Sequence, residues 1–186
     1  MVLGHSALNI EGDENRNDIQ DTSVNAFLGK DPKKWLSPSI GLLANVSEFE
    51  NSAYGAGTIS LAQEPDGIIR RVPIVSNIAG KVRPALALEI IRVAFEGNSI
   101  ATKTGINGIE SVIMQTKSIG KAAIPTDANG RVWIHYGEPD EGKFEDSRYY
   151  VSAVDIIKGR VGKERLQGKL GIIGTSATGL KDIKPT

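Results

Sequence analysis

Cysteine is absent from all 186 positions. That excludes a disulfide framework, a thiolate nucleophile and any Cys-ligated metal. It leaves the compartment open, because Cys-free domains occur on both sides of membranes. Net charge is missing as well, since Lys plus Arg and Asp plus Glu number 22 each. A nucleic-acid partner draws on a basic excess that releases counterions, so none is expected. Nor is there an apolar run of about 18 residues of the kind that spans a bilayer. Met1-Val2-Leu3-Gly4-His5 lacks the basic and apolar regions of a signal peptide. Histidine is scarce, only His5 and His135, too few to assemble a His-based metal site. What the chain does have is 40% hydrophobic and 24% charged residues, enough to bury a core and stay in solution. Its length suits a single domain over 1–186.

The apolar pattern predicts a strand at 2–9 and a polar surface loop at 11–22. Ser23 suits the N-cap of a short helix with Val24, Phe27 and Leu28 inward and Gly29 at its end. Ser37-Pro38 suits a second helix start, with Ile40, Leu43 and Ala44 on one face. Tyr54-Gly55-Ala56-Gly57 reads as a break. Strands at 58–62 and 68–75 then flank Glu64-Pro65-Asp66-Gly67, a hairpin signal because Pro presets φ and Asp and Gly tolerate turn geometry. Residues 84–96 form the strongest helix, with Pro84 at its first position and Gly97 as left-handed cap. Glu89, Arg92 and Glu96 make one narrow wet stripe on it, and the rest packs on a sheet. Strands follow at 110–115, 119–124 and 131–136, the last after the Asn129-Gly130 turn. Beyond the charged loop 137–148, Ser152 caps a helix through Lys158 with Ala153, Ile156 and Ile157 inward, closed by Gly159. Residues 169–174 read as a buried strand. The sum is α/β, a mixed β-sheet with helices packed on it and at least two β-hairpins.

Each constellation that could carry chemistry has a plainer reading. Asp13, Asn15 and Asn17 begin an EF-hand-like series, but Asp18 stands where Gly is required and Val24 where the bidentate Glu belongs. Adjacent His5 and Ser6 on a strand point to opposite faces and cannot form a nucleophile–base pair. Asp140, Glu141, Glu145 and Asp146 lie in a charged run with no apolar pocket to raise one pKa, unlike a glycosidase pair. The loop 174–179, with Thr175 and Ser176, could present backbone N–H groups to an anion, yet lacks the Lys of a P-loop. Arg70 and Arg71 are the other candidate ligand contacts. As strand neighbours, at most one points into a given pocket. Either a guanidinium clamps a carboxylate or phosphate, or one Arg is solvated and the other pairs with an acid such as Asp66. No catalytic residues, metal or cofactor are expected.

Four segments then occur in order: Asp66-Gly67-Ile68-Ile69-Arg70-Arg71-Val72-Pro73; Pro84-Ala85-Leu86-Ala87-Leu88; Ile124-Pro125-Thr126-Asp127 with Gly130 and Tyr136; and Gly168-Lys169-Leu170-Gly171-Ile172-Ile173-Gly174-Thr175-Ser176-Ala177 with Gly179 and Asp182. Together they resemble the type-two CHASE family of extracytoplasmic sensor domains, over nearly the whole chain. The resemblance implies the periplasmic or cell-surface portion of an inner-membrane protein. It implies transmembrane helices after the C-terminal end and a cytoplasmic output domain: adenylate or guanylate cyclase, histidine kinase, Ser/Thr kinase or diguanylate cyclase. It also implies that the family's N-terminal part is lacking here, in keeping with two ends that look cut. The expected partners are a small-molecule or protein stimulus and, beyond it, a second copy in a homodimer. Two other readings stay open: a hydrolase or transferase using the 174–179 loop with Arg71, and a dimerisation scaffold that binds no ligand.

Overall fold

The computed structural model describes residues 1–8, 24–61, 64–136 and 150–174, which fall in two units, one within Met1–Ile134 and one within His135–Ile183. The first unit runs β1 (Val2–Leu8), β2 (Val24–Leu28), β3 (Pro38–Ser39), β4 (Gly41–Leu43), α1 (Ser47–Glu50), β5 (Gly55–Thr58), β6 (Arg71–Pro73) and β7 (Val75–Ile78). It continues through β8 (Lys81–Pro84), α2 (Leu86–Ala94), β9 (Ser99–Thr104), β10 (Ile109–Thr116), β11 (Gly120–Pro125) and β12 (Arg131–Trp133). Among the described residues the sheets are β4-β1-β5, β3-β7-β8, β11-β10-β9-β2 and β12-β6. The pairs β1–β5, β2–β9 and β3–β7 are parallel and the others antiparallel, so the architecture is mixed, as expected.

Hairpins form, but not where the turn residues pointed. Glu64 to Gly67 does reverse the chain, with the Gly67 N–H donating to Glu64 O at 2.8 Å and Gly67 at φ +82°. Among the described residues the strand after it, β6, pairs with β12 and not with the segment before the turn. Asn129-Gly130 likewise turns the chain without pairing β11 to β12. The tight hairpin is β7–β8, whose connecting Ala79 and Gly80 both have positive φ, the backbone that follows strand twist. A turn sequence dictates the reversal; which strands pair is decided by the faces they bury.

Alternation builds the core. Ile100, Thr102 and Thr104 of β9 and Val112, Met114 and Thr116 of β10 are buried at every second position. They join Leu36, Ile74, Val75, Val82, Leu88 and Ile109, with Trp35, Ile91, Ile124 and Val132 packed against them. Fully burying one such side chain stabilises by about 1.5–3 kcal/mol.

Several expectations are corrected. Residues 24–28 are strand β2, not a helix, because their pairing with β9 settles a pattern too short to fix its own period. Pro38 opens strand β3, and Gly41–Leu43 is strand β4, so no helix follows Ser37; a proline is tolerated at the first residue of a strand. Residues 55–57, expected to break the chain, are most of β5. Gly55 and Gly57 face α2, which lies directly on them: a Cβ at Gly57 would sit 2.5 Å from Leu86 Cα. The α2 helix starts two residues after Pro84, which ends β8, and Glu96 (φ +51°) takes the left-handed position expected of Gly97.

In the second unit, α3 (Ala153–Ile157) and α4 (Lys163–Leu166) are short. Ser152 stands at the N-cap of α3 and Gly159 has φ +67°, as read, but Ala153, Ile156 and Ile157 are exposed instead of inward. Residues 169–174 form no strand, and Ile172 and Ile173 are 81% and 98% exposed. A strand needs a partner to satisfy its backbone, and the described residues of this unit contain no other strand.

Candidate functional site

The strands β6 and β12 carry the same local pattern, Arg-Val-x-Ile: Arg71-Val72-Pro73-Ile74 and Arg131-Val132-Trp133-Ile134. Period-two alternation puts Val72 and Val132, which are register partners, on one face, where Val132 packs against the core. Arg71, Arg131 and Trp133 fall on the other. Trp133 is 70% exposed and is the register partner of Arg71, whose guanidinium lies 5.4 Å from its ring centre, a cation–π distance. The backbone N–H of Ile74 donates to Gly130 O (3.0 Å) and that of Ile134 to Arg70 O (2.8 Å), closing the ribbon at both ends.

On this face six charged side chains alternate in sign. Asp66 Oδ2 lies 2.7 Å from Arg70 Nη1, which is 3.2 Å from Glu64 Oε2. Glu64 Oε1 accepts from Arg71 Nε at 2.8 Å, and Arg71 Nη1 reaches Asp127 Oδ2 at 3.2 Å. Asp127 Oδ2 also accepts from Arg131 Nε at 2.8 Å, while its Oδ1 takes the backbone N–H groups of Asn129 and Arg131. The turn at 64–67, the ribbon and the turn at 127–130 are thus joined by one chain of contacts. Hydrogen bonding from Arg71, then Arg70, holds the Glu64 carboxyl below the usual range. The Ile68 N–H, then Arg70, does the same for Asp66. Burial raises the Asp127 pKa, but bonds from the Arg131 backbone and side chain and the Asn129 N–H outweigh it and leave it lowered.

Both sequence candidates Arg70 and Arg71 are therefore brought together, against the expectation that neighbours diverge. Arg70 precedes β6 and escapes its alternation, so both guanidiniums reach Glu64. The pairing of one Arg with Asp66 is present, though neither Arg is simply solvated. Thr175 and Ser176, the series Asp13, Asn15 and Asn17, and the acids Asp140, Glu141, Glu145 and Asp146 lie outside the described residues. Glu64, Asp127, Arg131 and Trp133 went unread as partners; the repeated Arg-Val-x-Ile was the available signal.

Two further polar centres lie nearer the core. Arg92 meets Glu89 bidentately, Nε to Oε2 at 2.8 Å and Nη2 to Oε1 at 2.7 Å, and donates to Gly97 O and Tyr54 O. The expected wet stripe is thus a buried ion pair at two of its three positions, tucked against Gly55, whose missing side chain leaves room for Glu89. Buried His5 places Nε2 2.7 Å from Glu50 Oε1, which also accepts from the Asn45 backbone and side-chain N–H groups. Burial raises the Glu50 pKa, and the Asn45 and His5 bonds more than offset it. His135 is exposed. In the second unit an open hollow of about 400 Å³ is bordered by Tyr150, Ser152, Asp155 and Arg160, of which Arg160 is paired to Asp155. Among the described residues no three His, Asp or Glu side chains converge to hold a metal ion, and no helix is long and apolar enough to cross a membrane.

No curated protein and no solved structure matches the chain. Among protein families, the model of the CHASE2 domain matches residues 7–186.

Proposed function

Because the chain belongs to the CHASE2 domain family, a family of extracytoplasmic sensory domains, we propose that it is the input domain of a bacterial transmembrane signalling protein. A small-molecule or protein stimulus outside the cytoplasm shifts its conformational populations, which requires different affinities for the two states. The bias passes through membrane helices to a cytoplasmic output domain, a nucleotide cyclase or a sensor kinase. A homodimer is the natural carrier of such a signal. Arg70 and Arg71 are the candidate contacts for an anionic stimulus, which would exchange with the Glu64 carboxylate. The observation that supports the reading is the family match over 7–186.

The test uses the full-length protein. The β7–β8 tip, Ala79-Gly80, is exposed and tolerant of insertion in principle. Alkaline phosphatase inserted there, whose disulfides form only outside the cytoplasm, is expected to be active in cells. β-Galactosidase at the same site is expected to be inactive. The reverse pattern overturns the proposal.

A further inference from the structure

The β6–β12 ribbon is a poor candidate for a permanent part of the core. It pairs three residues with three, and a two-stranded ribbon of that size is marginal in water. Its apolar face is only half-buried at Val72 and Val132, whereas Val75, Ile100 and Val112 are fully buried. Its other face is a row of partly exposed charges. Exposed ion pairs contribute little one at a time and are screened by salt. Here they act in series: Asp66, Arg70, Glu64, Arg71, Asp127 and Arg131 each touch the next. Glu64 stands in the middle and is the described contact between the 64–67 turn and Arg71.

We propose that this ribbon and its six charges form a clasp that opens as one unit while the β9–β10 core stays folded. The clasp governs the stretch by which the chain leaves the first unit. Ile134, the last described residue of that unit, is held by its N–H bond to Arg70 O. Opening releases that bond together with the Ile74 bond to Gly130 O, so residues 131–134 gain freedom at once. Segments whose stability rests on few buried apolar contacts and on exposed hydrogen bonds are those that open locally. The inference concerns the first unit alone and does not depend on which signal the protein receives.

Hydrogen exchange on the full chain reads the clasp directly. Amides of Arg71, Val72, Ile74 and 131–134 are expected to exchange about tenfold or more faster than those of 112–114. Glu64→Gln, which keeps size and a hydrogen-bonding head but removes the charge, should accelerate the ribbon amides by a further factor of about five and leave 112–114 unchanged. Raising salt on the unaltered protein should act in the same direction, and this arm does not depend on a variant folding. Equal rates for ribbon and core in the unaltered protein overturn the proposal. So does a Glu64→Gln effect that is the same in both places, since it would mean global unfolding, and so does a ribbon indifferent to salt.

Discussion

Between α2 and β5, Glu89 and Arg92 keep 0% and 9% of their side chains exposed, while on the ribbon Glu64 keeps 18% and Arg70 38%. The pairs are chemically alike, carboxylate to guanidinium at hydrogen-bond distance. Water makes the difference. In the interior, losing one partner strands a charge that nothing else can solvate. On the ribbon, water and ions replace a lost partner at small cost. The buried pair therefore fixes one arrangement of helix on strand, and the exposed chain holds an arrangement that can be exchanged.

The comparison breaks first, if it is wrong, at Arg92. Arg92→Met leaves the Glu89 carboxylate buried without its fork, and a loss of about 3–5 kcal/mol is expected in denaturant unfolding. Glu89→Leu with Arg92→Met removes both charges and should recover most of that loss. If the single variant costs no more than a ribbon variant, burial is not what separates the two regions. Next comes the packing that keeps the pair dry. Gly57→Ala forces a methyl to within 2.5 Å of Leu86 Cα, and about 1–3 kcal/mol of overpacking is expected by the same measurement.

Ribbon changes should be smaller. Asp127→Asn keeps an acceptor for the turn N–H groups but loses the charge that Arg71 and Arg131 share, at an expected cost of about 1 kcal/mol. Acid probes the same groups without mutation. Glu64, Asp66 and Asp127 all have folded-state pKa values below their ordinary ones. Their contribution is therefore complete above the unfolded carboxylate range, near pH 4, and is lost as pH falls through the lower folded values. Trp133 fluorescence in a Trp35→Phe background should hold steady above about pH 5 and change only below about pH 4. A transition centred near neutrality would point to other groups. Trp133→Ala, which removes the ring beneath Arg71, should cost about 0.5–1 kcal/mol.

Local patterning carried β10, β11 and the turns at Pro65-Asp66-Gly67 and Asn129-Gly130, because alternation and turn chemistry are written in adjacent residues. It failed where a distant partner decides. Residues 24–28 become a strand by pairing with β9, and 55–57 become one because they pair with β1 while Gly55 and Gly57 leave room for α2. The strand β9 itself, Ser-Ile-Ala-Thr-Lys-Thr, went unread, since its buried face is mostly threonine and carries little hydrophobic signal. Arg70 and Arg71 were visible as candidates, and the acid at Asp66 was named. That Asp127 and Arg131 complete the set follows from the β6–β12 register, which no local rule supplies. Glu89 and Arg92 misled for a related reason: charges at helical spacing look solvated until the strand above them proves to offer a glycine, Gly55.

The hairpin at Ala79-Gly80 also bears on how the chain assembles. Its strands are joined by two residues, so closing it costs little chain entropy, and hairpins of this kind form in about 1–10 μs. The parallel pairs Val2 with Gly55 and Val24 with Ser99 must instead bring together distant parts of the chain. On these grounds Val75 and Val82 are expected to gather early and offer Leu88 a surface. The helix that follows β8 is then expected to be positioned before β5 encloses its ion pair. In that order Arg92 and Glu89 would find each other while still wet, and the costly step of drying them would come last.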